Sequence, residues 1–64
     1  MDNKLRAIRE VSGKTQAEVA KEIGVSEQQY QRYEYGQRKP NVYTAIRIAR
    51  ALQSTVEELF PLTE

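Results

Sequence analysis

Apolar residues recur along the chain at three- and four-residue intervals, and no stretch alternates apolar with polar residues long enough to read as a strand. Five segments carry this helical pattern. Leu5, Ile8 and Val11 mark the first, Val19, Ala20 and Ile23 the second, and Tyr30 and Tyr33 the third. Val42, Ala45, Ile48, Ala49 and Leu52 form the stripe of the fourth. Val56 and Leu59, with Phe60 beside them, mark the fifth. The segments are short, and isolated helices of this length are marginal in water, so mutual packing must hold them.

Polar punctuation sets the boundaries. Thr15-Gln16-Ala17-Glu18, Ser26-Glu27-Gln28-Gln29 and Thr55-Val56-Glu57-Glu58 each place a hydroxyl three residues before an acid or amide. That is the capping box, in which two orphan amide donors are satisfied reciprocally. Asp2 or Asn3 caps the first helix and Asn41 the fourth. Gly13, Gly24, Gly36 and Pro40 divide the segments, and Pro61 stops the last. The pattern predicts helices over about 3–12, 16–23, 27–35, 42–52 and 56–60, in one all-α domain spanning 1–64. Leu62-Thr63-Glu64 are expected to fray or to join an oligomer contact.

Composition narrows the chemistry. Sixty-four residues with 39% apolar content allow a single small core. Cysteine and histidine are both absent, which removes disulfides, thiolate and imidazole metal ligands and the usual general base near neutral pH. Glu57 and Glu58 are adjacent, but neighbours on a helix do not face each other. No nucleophile–base pair is available, so the expectation is a binding protein with no catalytic residue, cofactor or metal. No apolar run approaches the roughly 20 residues needed to cross a bilayer. Met1-Asp2-Asn3-Lys4 lacks the apolar core of a signal peptide. A cytoplasmic protein with no membrane partner is expected.

The net charge of +1 conceals an uneven distribution. Residues 26–50 carry Arg32, Arg38, Lys39, Arg47 and Arg50 against Glu27 and Glu34, whereas residues 51–64 carry Glu57, Glu58 and Glu64 and no base. The positive region coincides with the third helix and the loop after it, where it can meet phosphates.

Only Gly24, Val25 and Ser26 separate the second helix from the third. A turn this short makes two helices cross steeply, with Val25 placed to plug the angle. The third helix then displays Glu27, Gln28, Gln31 and Arg32, while Tyr30 and Tyr33 point to the core. Glutamine matches the donor–acceptor pair of adenine, arginine the two acceptors of guanine, and glutamate can accept from the cytosine amine. Any solvated helix face is polar, so this patch alone does not separate a reading surface from an ordinary one.

The ordered set of motifs is more specific. Residues 15–26, Thr15-Gln16-Ala17-Glu18-Val19-Ala20-Lys21-Glu22-Ile23-Gly24-Val25-Ser26, resemble the helix-turn-helix signature of the phage Cro-type, or XRE-family, repressors. The resemblance continues through Tyr30, Tyr33, Glu34, Gly36 and Arg38-Lys39-Pro40. It ends with Ile48-Ala49-Arg50-Ala51-Leu52 and Val56-Glu57-Glu58-Leu59-Phe60, and so covers about residues 4–60.

That resemblance implies a compact five-helix, lambda-repressor-like domain acting as a small transcriptional regulator, a repressor on the family pattern. It is expected in a bacterial cytoplasm or encoded by a phage. Glu27, Gln28 and Arg32 fall on the family's base-reading positions, and Gln31 faces the backbone or a neighbouring base. Gln16 falls on a phosphate-binding position, at a helix N-terminus that favours anions. Arg38 and Lys39 match the loop that grips the DNA backbone. Asn41 caps the fourth helix and presents amides to the same phosphates. Tyr43 either donates to a phosphate or packs half-exposed. Arg9 and Glu34 match an ion pair tying the first helix to the third.

Two positions depart from the family. Glu27 replaces the usual Gln, Arg or Ser, and either selects cytosine or only complements the helix N-terminus. Tyr30 replaces Ile or Val, so either the core has compensated or the phenol reaches solvent or phosphate. The resemblance also implies a two-fold dimer reading half-sites roughly 34–36 Å apart. Ile46, Phe60 and Leu62 are the candidate dimer residues, or Phe60 and Leu62 simply cover a monomer core. Double-stranded DNA is the expected partner, with a second protein or simple abundance supplying the signal. The competing reading is a protein-binding adaptor or antitoxin-like module, with the acidic tail and the tyrosine-rich third helix as its interface.

Overall fold

The computed structural model describes residues 3–62. Five helices form: α1 (Leu5–Ser12), α2 (Gln16–Ile23), α3 (Glu27–Glu34), α4 (Val42–Ala51) and α5 (Val56–Leu59), with no strand among the described residues. Asp2, a candidate cap, and Thr63 and Glu64 of the tail lie outside the described residues. Asn3 stands two residues before α1. Its Oδ1 accepts from the Leu5 N–H at 3.0 Å, and its Nδ2 donates to the Tyr33 carbonyl at 2.9 Å. The cap position itself falls on Lys4, which has no side-chain cap bond, so Asn3 acts from one residue outside it and fastens the start of α1 to α3. The Lys4 N–H donates to the Leu59 carbonyl at 2.9 Å, which joins the start of the chain to α5.

The Thr15 box is complete. The Glu18 N–H donates to the Thr15 hydroxyl at 3.1 Å and the Thr15 N–H to the Glu18 carboxylate at 2.9 Å. The other two boxes form by half. The Ser26 hydroxyl accepts from the Gln29 N–H, but the Gln29 amide donates instead to the Tyr33 hydroxyl at 3.0 Å. The Thr55 hydroxyl accepts from the Glu58 N–H and donates to the Glu58 carboxylate. In neither case does the side chain at the fourth box position accept from the cap's backbone N–H. Asn41 caps α4 by accepting from the Thr44 N–H at 2.8 Å.

The core joins Leu5 of α1, Val19, Ala20 and Ile23 of α2, Tyr30 and Tyr33 of α3, Ile48 and Ala49 of α4, Leu52 and Leu59. Val11 is not in it and is 89% exposed. Three-residue steps fall 60° short of a full turn, so by Val11 the direction has drifted 120° from Leu5. Lys14 closes the far end of the bundle. Its ammonium donates to the Ala51 carbonyl at 2.7 Å and to Glu22 at 3.0 Å, satisfying an orphan acceptor at the α4 C-terminus.

α4 ends in a tight return. The Gln53 N–H donates to the Arg50 carbonyl at 3.2 Å and the Ser54 N–H to the Ala49 carbonyl at 2.8 Å. That geometry needs a left-handed residue, and Gln53 supplies it at φ 53° without being glycine.

Candidate nucleic-acid interface

α2 and α3 make the most extensive helix pair. Gly24 takes φ 77°, and the Gly24 and Val25 N–H groups bond back to the Lys21 and Ala20 carbonyls at 3.3 and 3.0 Å. Val25 is half-buried against the core, filling the angle between the helices. Ser26 then starts α3 within two residues of the end of the previous turn. The turn chemistry thus fixes how α3 is presented.

α3 has two faces. Tyr30, Tyr33 and Glu34 point inward. Glu27, Gln28 and Arg32 are exposed, and their side chains have no hydrogen-bond or ion-pair partner among the described residues. Gln31 is half-buried and engaged. After α3 the loop folds back on the helix, with the Gln37 and Arg38 N–H groups donating to the Arg32 carbonyl at 2.9 and 3.3 Å. This turns the loop that carries the exposed Arg38 and Lys39 back against the end of α3. Asn41 and Tyr43, at the start of α4, are exposed as well, Tyr43 by 76%.

A chain of polar contacts runs beneath this surface. Arg9 donates through Nε to Glu34 Oε2 at 2.5 Å and through Nη2 to Oε1 at 3.4 Å, and through Nη1 to the Lys14 carbonyl at 2.9 Å. The Glu34 side chain is wholly enclosed and that of Arg9 is 11% exposed, so the pair is buried. The hydrogen bond to Glu34 holds the Arg9 guanidinium above its already high pKa. Gln16 Nε2 donates to Glu34 Oε1 at 3.2 Å, and Gln31 Nε2 donates to Gln16 Oε1 at 3.1 Å. The Arg9–Glu34 link between α1 and α3 therefore forms, and it extends through Gln16 to Gln31.

Tyr30 is fully buried, and its ring fills the core. Its hydroxyl reaches neither solvent nor the outer surface and has no hydrogen bond of good geometry. Burial, and then the neighbouring Glu34 carboxylate, hold the phenol well above its ordinary pKa. The core has compensated for Tyr30, which stays inside.

Ile46, Phe60 and Leu62 come together. With Lys39, Pro40, Val42, Ala45, Val56 and Pro61 they line an apolar cleft of about 340 Å³. Ile46 is 39% exposed and Leu62 97%, so neither is covered by the core. Among the described residues no cluster of three or more Asp, Glu, His or Cys is placed to hold a metal ion, and no helix is long and apolar enough to cross a membrane.

Contacts between distant glutamines were not foreseen from the sequence. Gln16 and Gln31 are 15 residues apart, and no local pattern pairs them. Tyr35 is another residue left unassigned. It lies three residues beyond Arg32 and is 57% exposed, on the stripe of Gln28, Gln31 and Arg32. Continuing the helical spacing one residue past the helix end would have found it.

Comparison with known proteins agrees with this architecture. A family model described as helix-turn-helix matches residues 5–59. The chain is 41% identical over 51 residues to the cryptic phage CTXphi transcriptional repressor RstR of Vibrio cholerae, covering 80% of this chain but 46% of that protein. It thus spans about half the length of that relative. It is 35% identical over 60 residues to an uncharacterized HTH-type transcriptional regulator of Archaeoglobus fulgidus, covering 94% of this chain and 86% of that one. The crystal structure of the P22 c2 repressor protein in complex with a synthetic operator matches with a TM-score of 0.85 at 28% identity, over 91% of this chain and 88% of that one. With the five helices, the tight α2–α3 turn and this match over most of its length, the chain belongs to the helix-turn-helix family.

Proposed function

We propose that residues 1–64 act as one sequence-specific double-stranded DNA-binding unit, a small transcriptional repressor that lays α3 in the major groove. The observation that carries this reading is the outer face of α3. Glu27, Gln28 and Arg32 stand exposed and unpartnered there, with Arg38 and Lys39 exposed beside them. Unpartnered amide and guanidinium groups on a helix are suited to base edges, and exposed cations on the adjoining loop to phosphates.

In this reading Gln28 and Arg32 discriminate bases, Glu27 accepts from a base amine, and Gln31 touches a neighbouring base. Gln16, Arg38, Lys39, Asn41 and Tyr43 hold the phosphate backbone. Arg9 and Glu34 are structural and keep α3 seated. The relative named as a phage repressor and the operator-bound P22 c2 repressor support the assignment.

Two copies act together. The apolar cleft holding Ile46, Phe60 and Leu62 supplies the shared surface, and a two-fold pair reads two half-sites about 34–36 Å apart. Dimerisation also answers the small net charge, because doubling the phosphate contacts strengthens a weak individual grip. The protein works in a bacterial cytoplasm without a cofactor or a catalytic step, and a second protein or its own abundance supplies the signal.

Selection of bound duplexes from a random pool tests the proposal. A common motif with two-fold symmetry is the expected result. Absence of measurable binding to any duplex at low salt would sink it, and would favour a protein-binding module on the same fold.

A further inference from the structure

We propose that the enclosed Glu34 carboxylate, acting through Gln16, sets the polarity of Gln31, so that Gln31 presents its amide oxygen to the DNA and selects adenine or cytosine on the strand it faces. The inference rests on the DNA-reading role of α3 and specifies it at one position.

A carboxylate has no proton to donate, and Glu34 is held in place by two nitrogens of Arg9. Gln16 must therefore turn its NH2 toward Glu34, as the 3.2 Å contact from Nε2 to Oε1 records. That leaves the Gln16 oxygen facing α3. An oxygen there calls for a donor, so Gln31 turns its own NH2 toward Gln16, at 3.1 Å. The Gln31 oxygen is left without a partner among the described residues and available to a ligand.

Flipping Gln31 alone would set two amide oxygens against each other. Flipping both glutamines would set the Gln16 oxygen against the enclosed carboxylate. Either arrangement leaves buried or half-buried acceptors facing one another, which is costly. A free surface glutamine presents either end of its amide with little preference. This one is locked by a chain that ends in a buried ion pair.

The consequence is readable in the major groove. Adenine N6 and cytosine N4 are donors there, whereas guanine presents acceptors and thymine an acceptor and a methyl group. An outward oxygen on Gln31 pairs with the first two and not with the others. Gln16 and Glu34 are positioning residues in this scheme, since they act on the base only through Gln31.

The test uses the full chain and duplex selection, followed by binding to single-site variants of the selected duplex. Gln31→Ala identifies the base pair at which preference is lost. At that pair the wild type is expected to favour adenine or cytosine on one strand by about fivefold or more, the lower end of a good base contact. Gln16→Met keeps the length of the side chain but neither donates nor accepts. It is expected to cut that preference to less than about twofold while the preferences at pairs read by Gln28 and Arg32 persist. Gln31→Glu, which can only accept, is expected to keep the adenine or cytosine preference even where overall affinity falls. The inference is overturned by a wild-type preference for guanine or thymine there, by an unchanged preference in Gln16→Met, or by no base-specific effect of Gln31→Ala. A wild type that binds no duplex, or all duplexes equally, overturns the DNA-reading role itself and this inference with it.

Discussion

The Arg9 guanidinium meets the enclosed Glu34 carboxylate through two nitrogens, across 25 residues of sequence, and so ties α1 to α3. Removing one partner of a buried pair is far costlier than removing both, because it strands a charge. Arg9→Met is expected to lower unfolding free energy by about 3 kcal/mol. The double variant Arg9→Met/Glu34→Leu is expected to lose less than the single one. Urea midpoints near neutral pH check both values, and a double variant at least as unstable as Arg9→Met would show that the stranded charge is not the main cost.

Gln53 sits at φ 53°, where the corresponding turn residues after α1, α2 and α3, Gly13, Gly24 and Gly36, are glycine. A side chain in the left-handed region carries a steric penalty that glycine escapes. Gln53→Gly is therefore expected to stabilise the fold by about 1 kcal/mol, net of glycine's greater freedom in the unfolded chain. In a domain of this size that corresponds to a rise in melting temperature of roughly 4–8 °C. Calorimetry would decide, and a lower melting temperature would mean that the Gln53 side chain contributes packing that outweighs the strain.

Much of the architecture was legible because its signals are local. Thr15, Ser26, Asn41 and Thr55 announce four helix starts, and the left-handed glycines the ends, within the span of one turn. What was not legible depends on distance or on competition. Val11 keeps a plausible three-residue spacing, yet the accumulated drift carries it to solvent. Gln29 completes a capping pattern on paper, but its side chain turns to donate to the Tyr33 hydroxyl one turn away, and the box stays half-made. The Gln16–Gln31 contact exists only once α2 and α3 have crossed. Tyr30 had two open fates in the sequence, and packing chose burial. Of the candidate site, the outer face of α3 was visible as a stripe, while the buried relay behind it was visible only at its Arg9–Glu34 end.

Glu18 links stability to pH. The Thr15 backbone N–H, and then the Thr15 hydroxyl, hold its carboxyl below the ordinary value of 4.5. A folded-state pKa lowered in this way means that the ionised form stabilises the fold. The contribution is complete above about 4.5 and is lost as pH falls through the lower folded value. Glu18→Gln is expected to be less stable than the wild type near neutral pH, and the gap is expected to close in acid. Thermal melts at the two extremes of pH would measure it, and a gap that stays constant would remove Glu18 ionisation as the cause.

Tyr30 combines a well-packed ring with a hydroxyl that has no good partner. A buried unsatisfied hydroxyl is a liability, whereas the ring is a large apolar contribution. Tyr30→Phe is expected to leave stability unchanged or to raise it by about 1 kcal/mol, and Tyr30→Ala to cost about 3 kcal/mol or more. The folded phenol titrates well above its ordinary value of 10.0. The stability that comes from keeping it neutral is present below that value and is lost as pH rises toward the folded pKa. Tyr30→Phe should therefore soften the alkaline loss of stability. Urea titrations near neutral pH and in strong alkali would separate the two effects.

The exposed residues of α3 and of the loop after it should fail in different ways. Gln28 and Arg32 lie on the outer face of α3, and Arg38 and Lys39 on the adjoining loop. Base contacts carry sequence information and phosphate contacts carry salt dependence. Gln28→Ala and Arg32→Ala are each expected to cost about 1–3 kcal/mol on the selected site and little on random duplex, relaxing specificity at separate base pairs. Arg38→Ala and Lys39→Ala are expected to weaken all duplexes alike and to reduce the slope of log affinity against log salt by about one for each lost contact. Titrations of both duplexes over a salt series would distinguish the classes. A loss of discrimination in Arg38→Ala, or a uniform loss in Arg32→Ala, would reassign that residue between reading and gripping.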